Sequence, residues 1–299
     1  MPYLLLSILL LGSALTKLGA QSGTAIGYDF EQPELLARLP AVLKEISGLS
    51  HSDRPNELLA VQDEKGKVFR ISTTTGRVVG ATEFWKDGDY EGIELVGDDI
   101  WVVKSTGTLY RIRNIGTPGQ EVTKFNGFLE KENDVEGLAY DAKAQRLLLV
   151  CKSHSLGTTE VRSVFSFDLN TRKFLPRPVF SIGRLAMSAY LAQCPKTRKH
   201  SKIVSFIDEK EKYELGPSAI AIHPITQQIF VASSPGKLII VLSPNGKILH
   251  VRKLDKDYFP QPEGLLFAAD GTLFISTEAK GGADARIYRL PYQPGFSGL

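Results

Sequence analysis

Apolar residues in this chain fall into short, strand-length runs separated by turn-forming residues, and the runs recur in a fixed order. Five segments open alike: Ile46-Ser47-Gly48-Leu49, Tyr90-Glu91-Gly92-Ile93, Val135-Glu136-Gly137-Leu138, Pro217-Ser218-Ala219-Ile220 and Pro262-Glu263-Gly264-Leu265. Measured at positions 47, 91, 136, 218 and 263, the steps are 44, 45, 82 and 45 residues. Each opening is followed by a turn, a second apolar run such as IWVVK (100–104) or LFISTE (273–278), and a third such as TLYRI (108–112). A period near 45 residues built from four short strands is the signature of a β-propeller, because one such sheet cannot bury both faces alone. The pattern predicts an all-β fold: a five-bladed propeller with four-stranded antiparallel blades.

The 82-residue step leaves a six-bladed ring as the alternative. The third repeat extends to Ile182, and the stretch 183–216 has no opening motif, so it reads as an insertion. Within it, Leu185 to Cys194 (LAMSAYLAQC) has helical spacing, whereas Ile203 to Ile207 (IVSFI) looks like a strand. The last repeat stops near Leu290, short of a fourth strand. The segment 27–43 is expected to supply that strand and close the ring, leaving no open sheet edge.

Residues 1–20 read as a signal peptide or an N-terminal anchor. Leu4 to Leu11 is apolar, and Leu18-Gly19-Ala20 offers a cleavage point before Gln21. The propeller then occupies 21–299, in the periplasm or outside the cell, or held to the membrane by an uncleaved leader. With 36 basic and 33 acidic residues the formal net charge is only +3, which speaks against a nucleic-acid partner. The one basic run, Lys196 to Lys202, reads as a solvated loop. Cys151 and Cys194 are the only cysteines; they either pair or stay as thiols.

The candidate chemistry lies in the openings. Stacked blades bring Ser47, Glu91, Glu136, Ser218 and Glu263 together at one mouth, with Glu278 ending a second strand nearby. Buried glutamates so gathered repel one another, so either some stay protonated or a cation sits among them. Hard oxygen ligands without histidine or cysteine suit calcium. The same residues could instead accept hydrogen bonds from neighbouring backbone and lock one blade to the next. Gln62, Lys104 and Lys152 end second strands near this mouth, where they could hold an anion or offset glutamate charge. His51 and His223 fall at the far end of innermost strands, in turn or surface positions. No nucleophile elbow, zincin motif or phosphate loop is present.

These openings, with NDVEGLAYD, DYEGIELVGDDIWVV and QPEGLLFAADGTLFISTE, resemble the SdiA-regulated β-propeller family, distantly related to NHL-repeat propellers, from about Gly27 to Leu290. The resemblance implies a five-bladed propeller with bound calcium, in an exported or membrane-anchored protein without established enzymatic activity. It maps the calcium site to Glu91, Glu136 and Glu263. The expectation is therefore a non-enzymatic binding or signalling module with no catalytic residues, whose ligand or protein partner is unknown. The rival is a metal-dependent hydrolase of lactonase or phosphoesterase type, and a third reading is a scaffold holding a partner on its rims.

Overall fold

The computed structural model describes residues 25–153, 157–208 and 211–297; the apolar leader lies outside them. The chain forms five four-stranded antiparallel sheets. β1 (Glu34–Arg38) is set apart from its sequence neighbours. Blade 1 comprises β2 (Ile46–His51), β3 (Glu57–Gln62), β4 (Lys67–Ser72) and β5 (Val78–Glu83). Blade 2 comprises β6 (Tyr90–Val96), β7 (Asp99–Lys104), β8 (Leu109–Arg113) and β9 (Glu121–Phe125). In blade 3 the strands are β10 (Val135–Asp141), β11 (Arg146–Cys151), β12 (Val161–Asp168) and β13 (Lys173–Gly183). Blade 4 contains β14 (Pro217–Ile222), β15 (Ile229–Ser233), β16 (Leu238–Leu242) and β17 (Ile248–Lys253). Blade 5 contains β18 (Pro262–Phe267), β19 (Leu273–Thr277) and β20 (Arg286–Leu290), and takes β1 as its outermost strand.

The burial pattern follows from this radial order. Middle strands are apolar on both faces, as in β11 and β16, because each blade is sandwiched by two others. The outermost strand β5 alternates between partly buried and exposed positions, since its rim meets water. Each blade interface holds its own apolar cluster. Leu59, Ile93 and Val102 join blades 1 and 2, and Leu138, Leu149 and Phe167 meet Trp101 between blades 2 and 3. The ring closes as expected, with Glu34 opposite Arg289 and Arg38 opposite Arg286. Ile26, Tyr28 and Phe30, just before β1, are buried between blades 4 and 5. Between β6 and β7 a two-residue turn places Gly97 at φ 60°, the left-handed region that glycine occupies without strain.

The step between blades 3 and 4 is an insertion, not a sixth blade. Its first helix, α1 (Arg184–Leu191), lies where helical spacing was read. The strand expected at Ile203 to Ile207 is instead the end of α2 (Arg198–Asp208). Ile203 and Ile207 stand four apart and are both buried, so the short apolar run packs with helical periodicity. Of the basic run, expected as a loop, Lys196 and Thr197 do lie in one, whereas residues 198–202 form the largely exposed start of the same helix. Both helices pack into the interface of blades 3 and 4 through Met187, Leu191, Ile203 and Ile207. Cys151 is buried and Cys194 half-buried, and both are free thiols. Among the described residues no helix is long and apolar enough to cross a membrane.

Candidate functional site

The five openings are the five innermost strands, and each carries a β-bulge at the recurring position. The register of β10 against β11 slips between Val135 and Gly137, leaving Glu136 as the extra residue. The same slip isolates Glu91 in β6, Ser218 in β14 and Glu263 in β18. In blade 1 it spans Ser47 and Gly48. A bulge re-aims the side chain it displaces, so five equivalent residues gather at one end of the channel. The next residue must be small, because neighbouring strands nearly touch there. A methyl group on Gly92 would lie 2.8 Å from the backbone nitrogen of Leu138, and one on Gly48 2.9 Å from Cα of Gly92. Glu91, Glu136 and Glu263 line a small cavity of about 10 Å³, room for about one water-sized sphere, together with Ile93, Leu138 and Leu265.

Glu91, Glu136 and Glu263 are 8%, 7% and 8% exposed. Burial pushes all three carboxyls above the usual range. Repulsion from Glu136 and a hydrogen bond with Asp89 add to the shift at Glu91. Repulsion from Glu278 and Glu136 adds to it at Glu263. At Glu136 the opposing influence is Lys152, whose Nζ donates to Oε1 at 2.9 Å and draws the carboxyl back down without cancelling burial. Burial disfavours the Lys152 charge, but attraction by Glu136, Asp134 and Glu263 outweighs it, and the ammonium stays charged. Glu278 accepts a hydrogen bond from Gln261 and is pushed up to about 7 by burial and by Asp63, Glu45 and Glu136.

Two responses to the gathered charge stand side by side: burial and mutual repulsion favour the neutral form of Glu91 and Glu263, and Glu136 is paired with the chain's own cation, Lys152. The two serines are engaged with backbone. Ser218 Oγ donates to the carbonyl of Pro262 at 2.6 Å, tying blade 4 to blade 5, and Ser47 Oγ donates to the carbonyl of Glu45 at 3.4 Å. Gln62 Oε1 accepts from the backbone of Glu64 and Lys65 and fixes a turn. Lys104 Nζ lies 5.6 Å from the centre of the Tyr90 ring. His223 is a turn residue but not a surface one. It is buried, and its Nδ1 accepts from the amides of Ile225 and Thr226, both at 3.1 Å. Its ring packs on Phe267 and Tyr292.

A second tier of the mouth escaped the reading of the motifs. Two residues before each bulge stand Glu45, Asp89, Asp134, Gly216 and Gln261. The backbone carbonyls of four of these, all but Gly216, accept from residues just past β3, β7, β11 and β19: Asp63 to Glu45 at 3.3 Å, Ser105 to Asp89 at 3.1 Å, Lys152 to Asp134 at 2.7 Å and Glu278 to Gln261 at 3.0 Å. Asp63, in this tier, is pushed up to about 6 by burial and by the neighbouring Glu45, Glu64 and Asp89. The signal was legible as D-x-E-G at 89–92 and 134–137, with Glu45 in the same place before Ser47. Glu94 is a further unusual carboxyl, toward the other end of β6. It accepts from Ser50 Oγ at 3.1 Å and from the Tyr140 amide at 3.2 Å, stitching blades 1, 2 and 3, and burial raises it to about 7.

These shifts set a pH dependence. A carboxyl whose pKa is raised on folding holds its proton more tightly when folded. Its stabilising share is complete below about 4.5 and fades as pH climbs through the folded value. His51 and His223, both shifted down, act in the opposite sense but only below 6.5. Above 6.5 the raised carboxyls lead, with Glu94, Glu136 and Glu278 near 7 and Glu91 and Glu263 higher, and the buried Cys151 thiol, also raised, acts in the same sense. In EDTA, unfolding stability should fall by about 1 kcal/mol or more between pH 6.5 and 8.5. Urea titrations at the two pH values measure this, and equal stabilities would refute it.

Among the described residues no three carboxylate, histidine or cysteine side chains converge on a metal-binding geometry. The donor type nonetheless suits a hard divalent cation: carboxyl oxygens from three blades with no histidine or cysteine beside them in the cavity lining, one of them already drawing an ammonium.

Comparison with solved structures returns propellers at low identity. A luciferin-regenerating enzyme is 12% identical, with 90% of this chain and 98% of that one covered and a TM-score of 0.49. A chain of a nidogen/laminin complex is 14% identical, with 85% and 86% covered and a TM-score of 0.49. A streptogramin B lyase is 13% identical, with 86% and 68% covered and a TM-score of 0.44. No curated protein sequence matches the chain. The model of the family described as SdiA-regulated matches residues 35–280, from the closing strand β1 through all five bulged openings. This five-bladed propeller belongs to the SdiA-regulated family.

Proposed function

We propose that this protein is an exported, non-enzymatic binding or signalling propeller, periplasmic or extracellular, whose acidic mouth takes up calcium. The observation that carries the reading is the row of bulges. They gather Glu91, Glu136 and Glu263 from three blades at less than a tenth exposure, with Lys152 the cation hydrogen-bonded to one of them. Those three glutamates, with Glu278 beside them, would hold the ion, and Glu136 would exchange Lys152 for it. Bound calcium supplies charge neutralisation and a rigid link among blades 2, 3 and 5. The residues themselves do the rest: the bulges orient the carboxylates, and the apolar side chains of Ile93, Leu138 and Leu265 line the same cavity.

The non-enzymatic part rests on the same mouth. Ser47 and Ser218 spend their hydroxyls on backbone carbonyls, and the partner found at Glu136 is an ammonium, not a base beside a nucleophile.

Thermal unfolding of the chain in EDTA and in millimolar calcium, repeated on Glu136→Gln, tests the proposal. A ligand at 100 times its dissociation constant adds about 2.7 kcal/mol to the folded state. The expected result is a clear upward shift in Tm that the variant loses. No shift in the unsubstituted protein would leave the glutamates purely architectural. Calcium-dependent turnover of a lactone or phosphoester, lost in Glu136→Gln, would replace the binding module by a hydrolase.

A further inference from the structure

Away from the channel, a groove of about 500 Å³ opens on the outer rim between blades 2 and 3. One lip is the end of β9 with the residues after it, Lys124 to Phe128; the other is the β12–β13 turn, with Arg172, Lys173 and Phe174. Its floor is aromatic. Phe125 packs on Phe167 at 5.1 Å between ring centres, Phe167 on Phe174 at 5.0 Å, and Phe128 on the buried Phe165 at 5.2 Å. Phe128 is 41% exposed. A lone exposed apolar side chain is ordinary, but here the ring continues an apolar surface into a concavity of ligand size. Lys124, Arg172 and Lys173 are exposed and form no ion pair among the described residues.

Both lips are fixed in place. Phe174 lies so close to the backbone at 127 that a methyl group on Gly127 would sit 2.5 Å from its ring. The turn carrying Arg172 at φ 55° is pinned by Asp168, which accepts from the Thr171 amide at 2.7 Å and its hydroxyl at 3.0 Å. Cations on both sides of an aromatic floor match one kind of molecule: an apolar body ending in a negative group. The body would cover Phe128 and Phe174, and the anion would take charge-assisted hydrogen bonds from the lips.

We propose that the groove between blades 2 and 3 is a binding site for a small amphipathic organic anion, an aliphatic or aromatic carboxylate or sulfonate. The site is independent of the acidic mouth. Fluorescence titration with 8-anilinonaphthalene-1-sulfonate tests it on the folded chain, with decanoate and decanol as competitors. Trp101, stacked on Phe125 at 5.6 Å, serves as energy donor in a Trp85→Phe background. The expected result is saturable one-to-one binding, displaced by decanoate better than by decanol. A Lys124→Ala, Arg172→Ala, Lys173→Ala triple variant should bind at least about tenfold more weakly, and Phe128→Ser should also weaken it. The three cation substitutions are on the surface and should leave the unfolding midpoint close to that of the parent protein. Non-saturable dye binding, equal competition by decanol, or undiminished binding in the triple variant would each overturn the proposal.

Discussion

Replacing Arg162 with methionine should loosen the insertion from blade 3 and lower the stability of the propeller by about 3–5 kcal/mol. Arg162 stands on β12 and is 6% exposed. Its guanidinium donates to the carbonyls of Leu215 at 2.5 Å, Thr159 at 2.6 Å and Val161 at 3.0 Å, and also to that of Tyr213. The Tyr213 ring lies 4.9 Å from the guanidinium carbon. One side chain thus satisfies both the entry to β12 and the segment that returns from α2 to β14. Methionine fills a similar volume but donates nothing, so buried carbonyls lose their partners, and each unsatisfied group costs about 1–3 kcal/mol. Arg162→Lys keeps the charge but loses the planar fork, and should fall between the two. Urea unfolding measures the loss, and limited proteolysis should cut the variant first within the insertion. A change below about 1 kcal/mol, with unaltered proteolysis, would show that the carbonyls find water as readily as they found the arginine.

The second large effect is expected at the axis. Gly92→Val should cost at least about 3 kcal/mol, at the upper end of overpacking penalties, because the blades leave no room there. The added Cβ would fall 2.8 Å from both the backbone nitrogen and Cβ of Leu138, and 3.0 Å from Val103 on the strand behind. Relief requires blades 2 and 3 to part, and five interlocked blades cannot part at one interface without disturbing the others. Gly97→Ser provides the contrast. Nothing lies within 4 Å of a Cβ at that turn, so its smaller cost comes from φ alone. Equal midpoints for Gly92→Val and the parent protein in urea would mean that the ring is more compliant than its close contacts indicate.

The periodic parts of the fold were legible because propeller physics repeats them. Every blade must present a small residue to the axis and apolar strands to both neighbours, so the opening and the second and third runs recur with a fixed spacing. The closing role of β1 followed from a missing fourth strand. The insertion was legible only as an interruption. Ile203 and Ile207 belong to a run short enough to satisfy either periodicity, and the surface that received them decided for helix. The convergence of Glu91, Glu136 and Glu263 on one cavity was readable from register. The part played by Lys152 was not. A lysine ending a second strand could face solvent or the mouth, and the burial of Glu136 decides between these. Arg162 was invisible for a related reason: its partners are backbone carbonyls, which leave no trace in side-chain identity.

The closing strand also settles how the molecule answers to force. β1 meets β20 with Glu34 opposite Arg289, so the two chain ends leave the sheet side by side. Gly27 and the 293–296 segment extend that clasp by two backbone hydrogen bonds, from the Gly27 amide to Phe296 and from the Gln293 amide to Gly27. A pull between the ends would therefore load these bonds one after another, as a zipper is opened, and not all together in shear. Blade 5 is consequently the place where tension opens the ring, and the covalently continuous blades 1 to 4 would be reached only after it has peeled.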